Sequence, residues 1–195
     1  VIKGREGIYT VVNGTRIDMT PGDVLLTPAW CWHGHANETD ETGYWIDFLD
    51  IPFVQLSEAM FFDPYPAGGL EPITSRGPTP MCIPSGEALG QGRDAKMVEI
   101  AKDIMPTIAL HLIRQPQGGR LDMPKATTNN IYAVVSGKAR ITAEGGFAET
   151  LAPGDVAAMP CWHAHAIEAP EDTVVFRVSD EPIFAKLGLA KTAAN

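Results

Sequence analysis

Short runs of β-branched, aromatic and aliphatic residues recur along the chain, and each is cut by Gly, Pro or Asn. Ile8 to Val12 ends in Asn13-Gly14, a pair suited to a two-residue hairpin because both positions accept positive φ. Pro21-Gly22-Asp23 predicts a second turn, with Pro fixing φ and Gly accepting a left-handed conformation. Val24 to Leu26, Tyr44 to Ile46, Val134-Val135, Val156 to Met159 and Val174 to Phe176 read as further strands. Many short strands divided by Gly/Pro turns predict a sandwich or barrel. Helical patterning is confined to Phe53 to Phe62, to Asp94 to Asp103, and to Glu181 to Leu189, expected as a terminal helix on the second barrel. Asp63 to Gly92, rich in Pro and Gly, reads as ordered loop.

The pattern repeats. Pro21-Gly22-Asp23-Val24, Pro28 and Cys31-Trp32-His33-Gly34-His35-Ala36 reappear as Pro153-Gly154-Asp155-Val156, Pro160 and Cys161-Trp162-His163-Ala164-His165-Ala166. Upstream, Val11-Val12-Asn13-Gly14 and Val134-Val135-Ser136-Gly137 each precede a β-like run. So long a unit signals duplicated domains rather than a solenoid. The expected organisation is 1–52 as the later part of a first barrel, 53–106 as a connector, and 107–195 as a second barrel.

Composition narrows the function. The 195 residues have 45% hydrophobic and 20% charged content and a formal net charge of -9. That suits a globular protein and argues against nucleic-acid binding, which needs clustered Lys and Arg. No apolar run approaches the roughly 18 residues of a membrane span. Three cysteines without a CxxC pair favour reduced thiols and a cytoplasmic setting. The chain begins without Met, inside an apolar stretch, so an upstream segment is expected.

Four of the five histidines lie in the two HxH pairs; His111 is the other. Residues i and i+2 of a strand share a face, so His33 and His35 are placed to point the same way. Neutral imidazole ligates iron, zinc, copper and nickel. An HxH alone is weak evidence; one that follows Pro-Gly-Asp-Val and Pro28 at this spacing is stronger. The plainer readings are core or rim histidines, a strand-end Asp47 paired with an arginine, a solvated Glu38 to Glu41 loop, core or pocket-wall roles for Trp30, Trp32 and Trp162, and inert buried thiols at Cys31 and Cys161.

Gly22-Asp23, Pro28 and His33 together resemble the second cupin motif. Thr27 to His35, Trp45-Ile46-Asp47-Phe48-Leu49-Asp50-Ile51-Pro52, Phe62 to Pro66, and Val178 to Pro182 with Leu187 to Leu189 resemble the gentisate and salicylate 1,2-dioxygenases along essentially the whole chain. The resemblance implies an all-β fold of two cupin barrels (double-stranded β-helix, or jelly-roll), the first incomplete at its N-terminus. It implies an Fe(II) enzyme that cleaves gentisate between its carboxyl- and hydroxyl-bearing carbons to give maleylpyruvate. Alternatives are a related salicylate or 1-hydroxy-2-naphthoate dioxygenase, a non-catalytic bicupin, or a cupin isomerase or hydrolase with another metal.

The resemblance further implies His33 as one of three iron ligands, with the other two histidines expected upstream of Val1. His35 and Asp47 match catalytic positions near substrate and O2. Where the second copy is expected to show its own HxH it reads Pro124-Lys125-Ala126, so that barrel is expected to be metal-free and structural. The implied partners are a small aromatic hydroxy acid, O2 and further copies of the chain, as a homotetramer.

Overall fold

The Asn13-Gly14 pair closes a hairpin. In the computed structural model, which describes residues 1–193, it joins β1 (Ile8–Val12) to β2 (Thr15–Asp18), with φ of 46° and 76° at the two turn residues. Positive φ at both positions matches the right-handed twist of the flanking strands. After the Pro21-Gly22 turn come β3 (Val24–Leu25) and β4 (His33–Asn37). Then follow α1 (Ile51–Leu56), β5 (Ser75–Arg76) and β6 (Cys82–Ile83). The chain divides into two compact units, Val1–Ser85 and a second from Gly86 onward.

In the first unit one sheet has the order β4-β1-β2-β5, and β3 pairs with β6. Every residue of β1 is buried, and Val11, Val12, Ile17, Met19 and Leu26 extend the apolar interior. Arg16 is buried beside them. Its cost is offset by ion pairs to Asp18 at 2.8 Å and Glu38 at 3.0 Å, and by the Tyr9 ring 3.8 Å from its guanidinium. Glu38 is therefore part of a local charge network rather than only a solvated loop residue.

The second unit opens with α2 (Ser85–Leu89), which begins at the preceding unit's last residue, and continues through β7 (Lys96–Ile100), β8 (Ala109–Gln115), β9 (Arg120–Met123) and β10 (Asn130–Ser136). Next are β11 (Ala139–Ala143), β12 (Ala148–Leu151), β13 (Val156–Met159), β14 (His165–Glu168), β15 (Thr173–Ser179) and α3 (Glu181–Lys186). They form two sheets, β13-β10-β15-β8-β7 and β12-β11-β14-β9. Ile113, Tyr132, Val134, Ile141, Met159, Ile167 and Val175, drawn from both sheets, make one apolar core.

Several local expectations change. Asp94 to Asp103 is not a helix: β7 occupies its middle and pairs with β8 from Lys96↔Arg114 to Ile100↔Leu110. Ladder bonds along a sheet edge outweigh the helix preference of Lys, Met and Glu there. Tyr44 to Ile46 is not a strand; only Tyr44 is paired, in an isolated bridge to Lys3. The helix expected from Phe53 is instead α1, with Asp50 at the position before it and Pro52 in its first turn; it stops before Ser57. Asp63 to Gly92 holds β5, β6 and most of α2 among its loops. Trp30 stands 83% exposed rather than in a core, and Cys161 is exposed rather than buried.

Candidate functional site

β4 sets out His33, His35 and Asn37 on its exposed face, while Gly34 and Ala36 face the other way. Gly34 has to be small: a Cβ there would come within 2.6 Å of the Leu70 side chain. The period of two thus puts both imidazoles on one side of the sheet, with ring centroids 6.2 Å apart. His33 Nδ1 lies 3.2 Å from the Cys31 carbonyl oxygen. A carbonyl only accepts, so Nδ1 carries the proton and the Nε2 lone pair is the one left to act.

His35 lies against the Trp45 ring, with centroids 4.8 Å apart. Partial burial pushes its pKa below the usual 6.5; the Asp47 carboxylate opposes that shift and His33 adds to it. Trp32 packs edge-on against Tyr65 at 5.2 Å, and Trp30 against Phe61 at 5.0 Å. His35 thus has one indole against its ring and one carboxylate acting on it. Trp45 was not singled out by sequence reasoning. Its signal is its place two residues before Asp47 in Trp45-Ile46-Asp47.

A metal ion needs more than this. Among the described residues, no group of three or more His, Cys, Asp or Glu side chains is placed to hold one. One open imidazole nitrogen is a single donor, and donor count decides affinity. The described residues do not by themselves fit a metal centre.

The second unit corrects the pairing of the histidines. The two CWHxHA strings are two residues out of structural register. Counted without a gap from Pro21 and Pro153, Pro28 meets Pro160, Trp30 meets Trp162 and His33 meets His165. The backbone agrees: Trp30 and Trp162 both have left-handed φ, 67° and 64°, and β4 and β14 begin at His33 and His165. The contact of Nδ1 with the carbonyl two residues back is shared by His33, His163 and His165, so the turn geometry and the strand starts decide the register. Thus Ile167 stands where His35 stands, and His163 matches Cys31.

Two further sequence alignments shift with it. The strand beside β14 is β9, with Met123 opposite His165 and Leu121 opposite Ile167, so Pro124-Lys125-Ala126 is not the matching segment. The hairpin equivalent to β1–β2 is β11–β12, so Val134 to Gly137 is no counterpart of Val11 to Gly14. His165 is buried, and its Nε2 lies 2.7 Å from the Tyr132 hydroxyl. The nitrogen that is open in His33 is occupied by a phenol in His165.

Comparison with known proteins fits this architecture. A cupin domain family matches residues 1–49. The structure superposes on salicylate 1,2-dioxygenase from Pseudoaminobacter salicylatoxidans, solved as adducts with gentisate, with a TM-score of 0.81 and 27% identity over 99% of this chain and 64% of that one. This is a cupin fold. Curated relatives include a gentisate 1,2-dioxygenase of Streptomyces, 28% identical over 99% of this chain and 65% of its own length. A 5-aminosalicylate 1,2-dioxygenase of Comamonas is 30% identical over 96% of this chain and 60% of its own length. The cupin chain is thus similar to these 1,2-dioxygenases along nearly all its residues, and spans 60% to 65% of their length.

Proposed function

We propose that the protein is an O2-dependent ring-cleaving dioxygenase for a hydroxy- or amino-substituted benzoate, with gentisate the first candidate. The observation that carries this is the His33/His35 pair on β4, bordered by Trp45 and Asp47, in a cupin similar to dioxygenases over 99% of its length. Gentisate plus one O2 has the composition of maleylpyruvate, so cleavage between the carboxyl-bearing carbon and its hydroxyl-bearing neighbour balances without another reactant. Salicylate and 1-hydroxy-2-naphthoate are the alternatives of the same class.

Iron(II) is the proposed metal, and it would supply the electronic coupling between ring and O2. His33 is the one imidazole this chain offers it, through the open Nε2; the remaining donors are not among the described residues. The chain's own chemistry lies at His35 and Asp47. His35 is placed to exchange a proton with a substrate hydroxyl, and the Asp47 carboxylate favours the protonated ring once it forms. Trp32 and Trp45 offer flat apolar surface to an aromatic ring.

Cysteines 31, 82 and 161 form no disulfide among the described residues, which supports a reducing, cytoplasmic setting. No helix among those residues is long and apolar enough to cross a membrane. Further copies of the chain are proposed partners, as a homotetramer. The test is oxygen consumption by the iron-loaded natural protein with gentisate, 5-aminosalicylate, salicylate and 1-hydroxy-2-naphthoate in turn; consumption with none of them overturns the reading.

A further inference from the structure

One rung of the second unit's five-stranded sheet is polar from its edge to its interior. Directly opposite residues set Glu99 of β7 beside His111 of β8, His111 beside Arg177 of β15, and Arg177 beside Tyr132 of β10. The Tyr132 hydroxyl then reaches His165 on the facing sheet. Arg177 is the hub and is only 5% exposed. Its Nε donates to Asn130 Oδ1 at 2.7 Å, its Nη1 lies 3.2 Å from His111 Nδ1, and its Nη2 lies 3.4 Å from the Glu181 carboxylate in the first turn of α3. A charge so buried depends on these partners. The position is notable as well. Counted back from Asp180-Glu181-Pro182 at α3 and from Asp50-Ile51-Pro52 at α1, Arg177 stands where Asp47 stands in the first unit.

The guanidinium fixes the state of His111. It has donors only and keeps its charge, so His111 Nδ1 accepts and the ring proton sits on Nε2. A proton added at Nδ1 removes that acceptor and sets two cations side by side. The other charged groups facing His111 are Glu99 from β7, itself paired with Lys102 at 3.5 Å, and Glu181 from α3. Glu181 is the carboxylate that both cations can claim, and α3 carries it. That helix has six residues, none of them buried, and no side-chain cap. Its other polar ties are Asn129 to the Asp180 carboxylate and Lys186 to the Pro106 carbonyl.

We infer that His111 is an acid-sensitive latch on α3. Neutral, it accepts from Arg177 and leaves the guanidinium to hold Glu181. Protonated, it expels that contact, draws Glu181 to itself and loosens the helix from the sheet. Burial, with Arg177 adding to it, holds the His111 pKa below its ordinary 6.5, while Glu99 and Glu181 oppose the shift. The latch therefore stays closed near neutral pH and opens in acid. Nothing in it depends on the proposed activity, and its readout does not involve turnover.

The test joins nitrogen-15 NMR of the His111 ring to residue-resolved amide hydrogen exchange, both on the natural protein. The range runs from about pH 7.5 down to the pH at which His111 is charged, with exchange corrected for the intrinsic pH dependence of the chemistry. At the upper end the Nε2–H tautomer is expected. As His111 charges, exchange at Leu187 and Leu189, whose N–H groups donate to the Ile183 and Phe184 carbonyls, is expected to quicken by about tenfold. The ladder amides of β11 and β14 are expected to stay protected. His111→Gln, whose amide oxygen accepts from Arg177 at every pH, is expected to keep α3 protected throughout. Four results overturn the inference: an Nδ1–H tautomer at the upper end, α3 exchange that does not respond as His111 charges, the same response in His111→Gln, or loss of β11 and β14 protection together with α3. The tautomer and the exchange profile are read on the unaltered protein, so they decide the matter even where the variant fails to fold.

Discussion

Two histidines at equivalent positions have opposite fates, and the difference lies in one atom. His33 keeps its Nε2 open; His165 has the Tyr132 hydroxyl 2.7 Å from the same nitrogen. Since His165 Nδ1–H is committed to the His163 carbonyl, Tyr132 must donate. Burial raises the Tyr132 pKa to about 12, which keeps it a donor. Tyr132→Phe leaves a buried nitrogen without a partner, so it is expected to destabilise the second unit by about 1–3 kcal/mol, read as a lower urea midpoint. Burial also lowers the pKa of His165 and of His111, with Arg177 adding to both. Below their ordinary value of 6.5 the unfolded chain takes up protons that the folded unit refuses. Stability is therefore expected to fall as pH drops through that value, until the folded histidines themselves protonate. Urea midpoints between about pH 7.5 and about pH 5 check the sign, and His165→Gln is expected to flatten the slope. On the other histidine strand, Asp47→Asn removes the charge that favours a protonated His35; turnover is expected to drop by roughly 10- to 1,000-fold with the fold unchanged.

The strands were legible wherever alternation and turn chemistry agreed. Ile8 to Val12 with Asn13-Gly14, Val156 to Met159 and Val174 to Phe176 all lie in strands. β7 was not legible, because its helix-favouring residues become a strand only through pairing with β8, a partner that local sequence does not reveal. The histidine register was misread for a similar reason. Identical CWHxHA letters suggested one alignment, whereas the left-handed Trp30 and Trp162 and the starts of β4 and β14 follow the spacing from the Pro-Gly-Asp turns. Turn geometry, not letter identity, fixes which residue enters the strand. The turn after β10 offers a direct check. Gly137 has φ of 72°, and a Cβ there would meet the Asp172 carbonyl oxygen at 2.3 Å and Thr173 Oγ1 at 2.8 Å. Gly137→Ala is expected to cost about 2 kcal/mol or more in unfolding free energy. Gly145→Ala, with φ of 84° and nothing within 4 Å, bears the backbone strain alone and is expected to cost about 1 kcal/mol.

Across the whole chain, duplication explains both what the two units share and where they part. Each presents a histidine at the start of an equivalent strand, with its Nδ1 against the carbonyl two residues back. The second unit fills the surroundings of that histidine with Tyr132, Leu121, Met123 and Ile167, an apolar setting with one hydroxyl. In the first, His35 stands beside it on the same face, with the Trp45 ring against His35 and the Asp47 carboxylate acting on it. The proposed chemistry accordingly falls to the first unit, and structural support is the role proposed for the second. The measurement that bears most directly on this assignment is oxygen uptake by the iron-loaded natural protein with gentisate, run with 18O2 and followed by mass analysis of the product. One O2 is expected to be consumed per gentisate, with both labelled atoms in a ring-opened diacid. Loss of that uptake in Tyr132→Phe at full folding, with retention in His33→Ala, would contradict the assignment.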